Sequence, residues 1–352
     1  MSPPDVARPK VPELLDEALS PEWLTAALGT RFPGIEVVEV APGPVVSRLS
    51  TNARFRIRTA GPLPEGLPAD LCVKGYFTEV GRFARRAGVP EANFYMGLAE
   101  ATGVRTLRSV YADLDATSQA SVVLTEDVVA QGATFLDSLS EYRPDQTAQT
   151  LEELARLHVS TWMDPACARA SWLDPWFTQL SNGRGVNEIR GNFDGPIGAG
   201  VPDAVRDAQR LADAFTTVAA DAAAVSPWCV VHGDTHVANL FLDGEGRPAL
   251  VDWQLVQRGP WYLDVGYHIA ATLTVDDRRR SERDLVAHYV ELMRAGGVDL
   301  PGDDEVWRGV RRGMVHGFYL WGITLKVDPP ITAALLERLG TAVDDHDALA
   351  GL

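Results

Sequence analysis

Apolar and polar positions change their rhythm part-way along the chain. Before about residue 125 they alternate in short runs, at Ile35–Val40, Ala53–Arg58, Asp70–Tyr76 and Ser121–Leu124, the two-residue period of half-buried strands. The loop from Gly61 to Pro68 punctuates two of these runs with proline and glycine. Between them, the spacing of Phe94, Leu98 and Ala101 predicts a helix over Pro90–Thr102 with proline in its first turn. After Glu126-Asp127 the period becomes helical. Asp145 is placed to cap a helix carrying Leu151, Leu154, Leu157 and His158 on one face, and further helices fit Val201–Ala224, Ser281–Arg294 and Val306–Leu325. The pattern predicts an α+β chain: a small antiparallel-sheet lobe over 1–125, a hinge at 126–130 and a larger, mainly helical lobe over 131–352.

One stretch of the helical part breaks its rhythm. Two short apolar runs, Trp228–Val231 and Leu240–Leu242, flank the polar elbow from His232 to Asn239, and a third run follows the Gly244-Glu245-Gly246 turn and ends in Asp252. Runs this short, bounded by turn residues, read as buried strands. The elbow holds Asp234 and Asn239 five positions apart, and the hairpin returns a second carboxylate, Asp252. One acid to take a proton, with an amide and an acid for a divalent metal, is the set of groups that phosphoryl transfer uses.

Composition narrows the class. Of 352 residues, 46% are hydrophobic and 23% charged, ordinary values for a globular protein. Met1–Ser20 has no apolar core, so no signal peptide is expected; Ala214–Val231 is interrupted by Asp221 and Pro227 and is too broken to span a bilayer. Cys72, Cys167 and Cys229 are unclustered, which suits reduced core thiols in a cytoplasmic protein. A net charge of −16 argues against a nucleic-acid partner. The basic run Arg278-Arg279-Arg280 sits among Asp276, Asp277 and Glu282 and reads as a solvated helix face. The acidic surface suits either solubility or steering of a cationic substrate.

His-Gly-Asp-x-His-x-x-Asn at 232–239, with Asp252-Trp253 about a dozen residues later, resembles the aminoglycoside phosphotransferase and choline kinase superfamily, small-molecule kinases of protein-kinase-like fold. Gly259-Pro260 followed by Asp264 matches that superfamily's habit of placing a buried aspartate after the metal strand, and Glu91–Ala99 is similar to a helix of its ecdysteroid-kinase-like, CHK-like branch. The resemblance implies ATP and Mg²⁺ as cofactors. Asp234 would orient or deprotonate the acceptor hydroxyl, with His232 bracing the loop beside it; Asn239 and Asp252 would bind Mg²⁺. Lys74, mid-strand among apolar neighbours, would meet the α- and β-phosphates and pair with Glu91. Ser50 and Thr51, in a phosphate-covering segment without a G-x-G-x-x-G pattern, would offer backbone N–H groups and hydroxyls, and the main chain of Glu126–Val128 would meet adenine. Asp264 would accept N–H groups of the catalytic loop, while Trp253 and Trp261 read as core.

The acceptor is expected to be a small-molecule alcohol, with no nucleic-acid or membrane partner and the chain a monomer or homodimer. Specificity is assigned to the helices of the large lobe and to the irregular Ser171–Gly200 segment, with Trp172, Trp176 and Phe177. These regions and the Trp307–Trp321 helix are more aromatic than acidic, which disfavours a polycation, and the CHK-like resemblance of Glu91–Ala99 implies a larger, partly apolar alcohol, sterol-like or polyketide-like, or a hydroxyacyl compound. Antibiotic inactivation is the close alternative. His232 and His236 also fit a metallophosphoesterase, but its early Asp-x-His and its Gly-Asn-His are missing from the sequence. A non-catalytic nucleotide-binding module is disfavoured by the presence of Lys74, Asp234, Asn239 and Asp252 together.

Overall fold

The computed structural model describes residues 8–180 and 185–352. The chain forms two compact units. The first takes the residues up to Ala101, Thr106–Ala133 and Asp252–Gln254; the second takes Thr102–Arg105, Thr134–Val251 and Leu255–Leu352.

The first unit is built on an antiparallel sheet of β1 (Val37–Ser47), β2 (Thr51–Thr59), β3 (Asp70–Gly75), β4 (Ser109–Leu114) and β5 (Ser121–Glu126), in the order β1-β2-β3-β5-β4. Strand alternation places Ala53, Phe55 and Ile57 of β2, Leu71 and Val73 of β3 and Val122 and Leu124 of β5 in one core. Leu24, Ala27 and Leu28 of the Pro21–Gly29 helix close it. That helix opens with Ser20 accepting the Trp23 N–H at 3.2 Å, and with proline at its first position. β1 runs longer than its apolar alternation predicts, through Pro42 and Pro44, because it is an edge strand paired only with β2 and bulged between Pro42 and Val45. The sequence pattern does not reveal β4: Asp113 interrupts its apolar alternation, and its buried carboxylate is met by Tyr111 Oη at 2.9 Å, the Leu114 N–H at 2.9 Å and Arg8 Nη1 at 3.1 Å. The expected helix at 90–102 starts earlier, at Gly88, and passes through a π-turn at Phe94–Leu98 before its last turn, Ala99–Thr102.

In the second unit, β6 (Thr134–Phe135), β8 (Leu240–Leu242) and β9 (Pro248–Leu250) form one small antiparallel sheet, and β7 (Cys229–Val231) pairs with β10 (Gln257–Gly259). Helices Pro144–Ser160, Ala208–Ala224, Tyr262–Thr272, Val275–Ala295, Asp303–Gly322 and Pro329–Asp345 make up most of the rest. Asp145 is not the cap of its helix: the N-cap is Arg143, and Gln146 accepts the Arg143 N–H at 3.1 Å, which leaves Asp145 in the first turn. The helix expected from Val201 starts only at Ala208, where Asp207 accepts the N–H groups of Gln209 and Arg210. A third correction concerns the basic run. Arg278 is 1% exposed and ion-paired with Glu282 and Asp345, so the helix face it shares with Arg279 and Arg280 is not wholly solvated. Within the Ser171–Gly200 segment, residues 181–184 lie outside the described residues; the remainder includes short 3₁₀ turns and the Val186–Asp194 helix. Among the described residues no helix is long and apolar enough to cross a membrane.

Candidate active site

The polar elbow leaves β7 at His232 and turns at Gly233, whose φ is +85°. A side chain there would meet the Leu255 carbonyl oxygen at 2.6 Å and the Phe177 ring at 3.1 Å, so both conformation and space require glycine. The loop is held by side chains rather than by a sheet ladder. Asp264, fully buried on the Tyr262–Thr272 helix, accepts the His232 N–H at 2.7 Å and the Gly233 N–H at 2.8 Å, one on each oxygen, and lies 3.1 Å from His158 Nε2. His316 Nε2 donates to the Gly233 carbonyl at 3.0 Å and His268 Nδ1 to that of Thr235 at 2.7 Å. Buried backbone polar groups are costly unless paired, and here they are paired with side chains from two helices. Burial pushes the Asp264 carboxyl up, but the His158 hydrogen bond and charge, with the Gly233 N–H, outweigh it and hold it below the usual carboxylate range.

Inside this loop, His232 donates from Nε2 to the Val251 carbonyl at 2.9 Å and accepts the Asp234 N–H on Nδ1 at 3.2 Å. Both ring nitrogens thus serve the backbone, which makes His232 a brace. Asp234 Oδ1 accepts Tyr267 Oη–H at 3.0 Å; its Oδ2 accepts Asn239 Nδ2–H at 3.1 Å and faces His236 Nε2 at 3.5 Å. Burial alone would raise the Asp234 carboxyl; His236, His232 and the Tyr267 hydroxyl more than reverse this and bring it down to about 2. Asn239 also donates to the Asp234 carbonyl at 2.7 Å. Its Nδ2 is thereby committed to Asp234, and Oδ1 is the atom left for a cation.

In the first unit, Lys74 of β3 lies 2.7 Å from Glu91 Oε2 and 3.0 Å from Asp252 Oδ1, with its side chain 17% exposed. Burial works against the charged ammonium, but Asp252 and Glu91 together raise its pKa above the ordinary lysine value. Asp252 has φ +66°, a left-handed conformation that aspartate tolerates better than most residues. Behind it, Trp253 is fully buried, stacked on Phe94 at a centroid distance of 3.7 Å, with Nε1 donating to Thr106 at 3.0 Å. Trp253 is core, and so is Trp261, which stacks on Tyr289 at 5.2 Å.

The sequence-nominated residues fall into four places. Asp234, His232 and Asn239 share one loop; Lys74, Glu91 and Asp252 share one cluster. Ser50 and Thr51 lie at the β1–β2 turn, both buried, with Thr51 Oγ1 3.1 Å from Ser47 Oγ. Glu126 ends β5 with its carboxylate on Arg108 at 3.1 Å, and the Val128 carbonyl accepts the Ala133 N–H at 3.0 Å. Sequence reasoning missed Tyr267, His316, His268 and the role of Trp321, which is buried and donates to Tyr267 at 2.8 Å. The only local signal was that Tyr267 follows Asp264 by three residues on an apolar helix. The groups fit the implied cofactors. A lysine ammonium set between carboxylates is a fixed positive charge suited to a polyphosphate, and an amide oxygen and a carboxylate are the hard donors that Mg²⁺ takes. Against the His-x-Asp-x-His metal cluster, His232 engages the backbone through both nitrogens and His236 Nδ1 accepts the Ala238 N–H at 3.2 Å.

Comparison with known proteins places this geometry. No curated protein matches the chain. Among solved structures, a candidate aminoglycoside phosphotransferase from Ralstonia eutropha is 15% identical, over 94% of this chain and 98% of that one, with a TM-score of 0.53. A spectinomycin phosphotransferase solved with ADP and spectinomycin is 10% identical over 93% and 97%, with a TM-score of 0.50. A choline kinase from Streptococcus pneumoniae is 12% identical over 94% and 99%, at 0.48. The first two share the fold: an antiparallel sheet in the N-terminal part and helices in the C-terminal part, the protein-kinase-like arrangement the sequence pattern anticipates. The profile of the phosphotransferase enzyme family matches residues 89–298, which take in Glu91, Asp234, Asn239, Asp252 and Asp264, whereas Lys74, Ser50 and Thr51 precede them. Because that match covers more than half of the sequence and the whole of the Asp264-held loop, the chain belongs to the phosphotransferase enzyme family and is a small-molecule phosphotransferase.

Proposed function

We propose that the chain transfers the γ-phosphate of ATP, with Mg²⁺, to a hydroxyl group of a small molecule. The observation that carries this reading is the loop that Asp264 holds by two backbone N–H groups, which presents Asp234 and Asn239 hydrogen-bonded to each other. Asp234 orients the acceptor hydroxyl and takes its proton as the new bond to phosphorus forms. Asn239 Oδ1 and Asp252 are the metal ligands, and Lys74, set by Glu91, holds the α- and β-phosphates. When bound, Mg²⁺ neutralises phosphate charge and keeps the transferring group in line. The β1–β2 turn with Ser50 and Thr51 contributes phosphate contacts, and the Glu126–Val128 main chain meets the base. Positioning and charge neutralisation dominate phosphoryl transfer, so these groups suffice.

For the acceptor we favour a partly apolar alcohol, sterol-like or polyketide-like, or a hydroxyacyl compound, in keeping with the CHK-like character of Glu91–Ala99 and with the aromatic residues Trp172, Trp176 and Phe177. An aminoglycoside or other antibiotic is the second reading, and a cytoplasmic location is part of the proposal.

The test is nucleotide binding followed by an acceptor screen. Mg-ATP should stabilise the protein thermally, by roughly 2.7 kcal/mol at a hundredfold excess over Kd, and Lys74→Ala should weaken that effect; Mg-GTP is run beside it. Coupled ADP release over a panel of alcohols, amino sugars and hydroxyacyl compounds, with mass spectrometry for a gained phosphate, then identifies the acceptor. Absence of any Mg-ATP or Mg-GTP binding at millimolar concentration refutes the kinase reading.

A further inference from the structure

Tyr267 lies outside the motif, yet the packing of two helices delivers its hydroxyl to Asp234. The Tyr262–Thr272 and Asp303–Gly322 helices approach so closely that a Cβ on Gly266 would lie 2.1 Å from the Val310 carbonyl oxygen, and one on Gly313 2.0 Å from that of Tyr262. One turn further along, Gly317 makes room for the Tyr267 ring, which a Cβ there would meet at 2.3 Å. Four residues beyond Gly317, on the same helix face, Trp321 donates Nε1–H to Tyr267 Oη at 2.8 Å. Tyr267 and Trp321 are both buried, and among the described residues the other ionisable rings around the phenol are His236 and His316, at ring-centroid distances of 6.4 and 5.7 Å.

The direction of this chain follows from its chemistry. An indole N–H can only donate. The Tyr267 oxygen therefore accepts from Trp321, and its own proton points to Asp234 Oδ1, 3.0 Å away. On the other side of the carboxylate, Oδ2 already accepts from Asn239 and faces His236. Among the described residues Oδ1 has one donor and, as a carboxylate oxygen, a second lone pair.

We propose that Trp321 and Tyr267 form a one-way hydrogen-bond relay that positions Asp234, turning Oδ1 so that its second lone pair meets the acceptor hydroxyl. This rests on the reading of Asp234 as the residue that faces the acceptor. Tyr267 and Trp321 are positioning residues: neither exchanges a proton with substrate. A hydroxyl donated to an ionised oxygen stabilises the anion and fixes its rotation, and the donor-only indole prevents the phenol from reversing. The relay gives the Trp321 end of its helix a part in positioning Asp234, beside any part in acceptor recognition.

The experiment places 3-fluorotyrosine at position 267 of the full chain and follows the phenol by ¹⁹F NMR as a function of pH. Beside an ionised Asp234 the phenol should ionise with difficulty, and Asp234→Asn should lower its midpoint by one pH unit or more. Trp321→Phe removes the donor to the phenol oxygen and should raise the midpoint. Identical midpoints in the parent and Asp234→Asn proteins would overturn the relay, and so would a Trp321→Phe protein whose midpoint falls. Tyr267→Phe is assayed by calorimetry with Mg-ATP and by phosphate release from Mg-ATP with water as acceptor. Nucleotide Kd should stay within twofold while kcat falls tenfold or more; a parallel loss of both, with the circular dichroism spectrum changed, would mean a merely structural role. If the parent fails to bind Mg-ATP, the kinase reading is lost, while the ¹⁹F titration still decides the relay.

Discussion

At the scale of single residues, the two aspartates nominated for chemistry sit in opposite situations. Asp234 has three donors around its carboxylate and a pKa brought down to about 2; Asp252 is 42% exposed, left-handed and paired with Lys74. Asparagine tolerates the left-handed region almost as well as aspartate, so Asp252→Asn tests charge without adding backbone strain. It should raise the Mg²⁺ concentration needed for half-maximal turnover, while Lys74 keeps Glu91 as its partner. Asp234→Asn should behave differently: kcat falls by about 10²–10⁴-fold, as expected when a positioned base is lost, with Mg²⁺ half-saturation unchanged. His236→Ala should keep its metal dependence, since no metal is assigned to that imidazole. A Mg²⁺ titration of turnover in the three variants beside the parent checks all of this, and an Asp234→Asn protein with full kcat would refute the role given to Asp234.

At the scale of elements, the contact between the Tyr262–Thr272 and Asp303–Gly322 helices leaves least room. The would-be Cβ of Gly313 clashes with backbone, the Tyr262 carbonyl at 2.0 Å, which cannot rotate away. Gly313→Ala should therefore destabilise the fold in spite of alanine's better helix propensity: overpacking costs about 1–3 kcal/mol, against a gain of about 1 kcal/mol in propensity. Gly191, in the Val186–Asp194 helix, has nothing within 4 Å of its Cβ position. Gly191→Ala should be neutral or stabilising by up to about 1 kcal/mol. Urea denaturation of the two variants measures the contrast, and equal midpoints would show that the helices separate at little cost.

For the whole molecule, buried histidines and the Arg278 network predict how stability responds to acid. Burial lowers the pKa of His268 to about 4 and also lowers that of His316. An unfolded histidine takes a proton near 6.5, so the unfolded state binds more protons between about pH 6.5 and 4. Stability falls as pH falls through that window, with a slope of about 1.4 kcal/mol per pH unit for each histidine fully affected. A second loss follows below it. Asp345, hydrogen-bonded by Arg279 and by Arg278, has its carboxyl lowered from 3.8 to about 2. Its contribution is complete above pH 3.8 and disappears as pH approaches 2. Thermal melts of parent and Asp345→Asn proteins should accordingly differ above pH 4 and converge toward pH 2; a constant difference would separate Asp345 from the acid response.

How much of this was legible beforehand depends on the range of the forces involved. Alternation in β2, β3 and β5 and the three- to four-residue spacing of the later helices are local properties, and they located the sheet and most helices without a structure. The Asp234–Asn239 spacing was legible for the same reason, since a loop held at both ends by short strands leaves those side chains few places to go. The Asp264 carboxylate was anticipated as an acceptor of loop N–H groups from the family resemblance, which implies a buried aspartate after Gly259-Pro260, and a buried acid must find donors. Other features depended on partners distant in sequence. Arg278 looked solvated until Asp345, 67 residues away, reached it; Asp113 looked unsuitable for a strand until Arg8, 105 residues away, donated to it. Tyr267 carried little signal beyond its place three residues after Asp264, because its role requires Gly317 to admit its ring and Trp321 to orient its hydroxyl. Local sequence determined which residues were available for chemistry. Only the tertiary structure decided how each was oriented, because burial makes a polar group depend on whichever partner the packing brings within hydrogen-bonding distance.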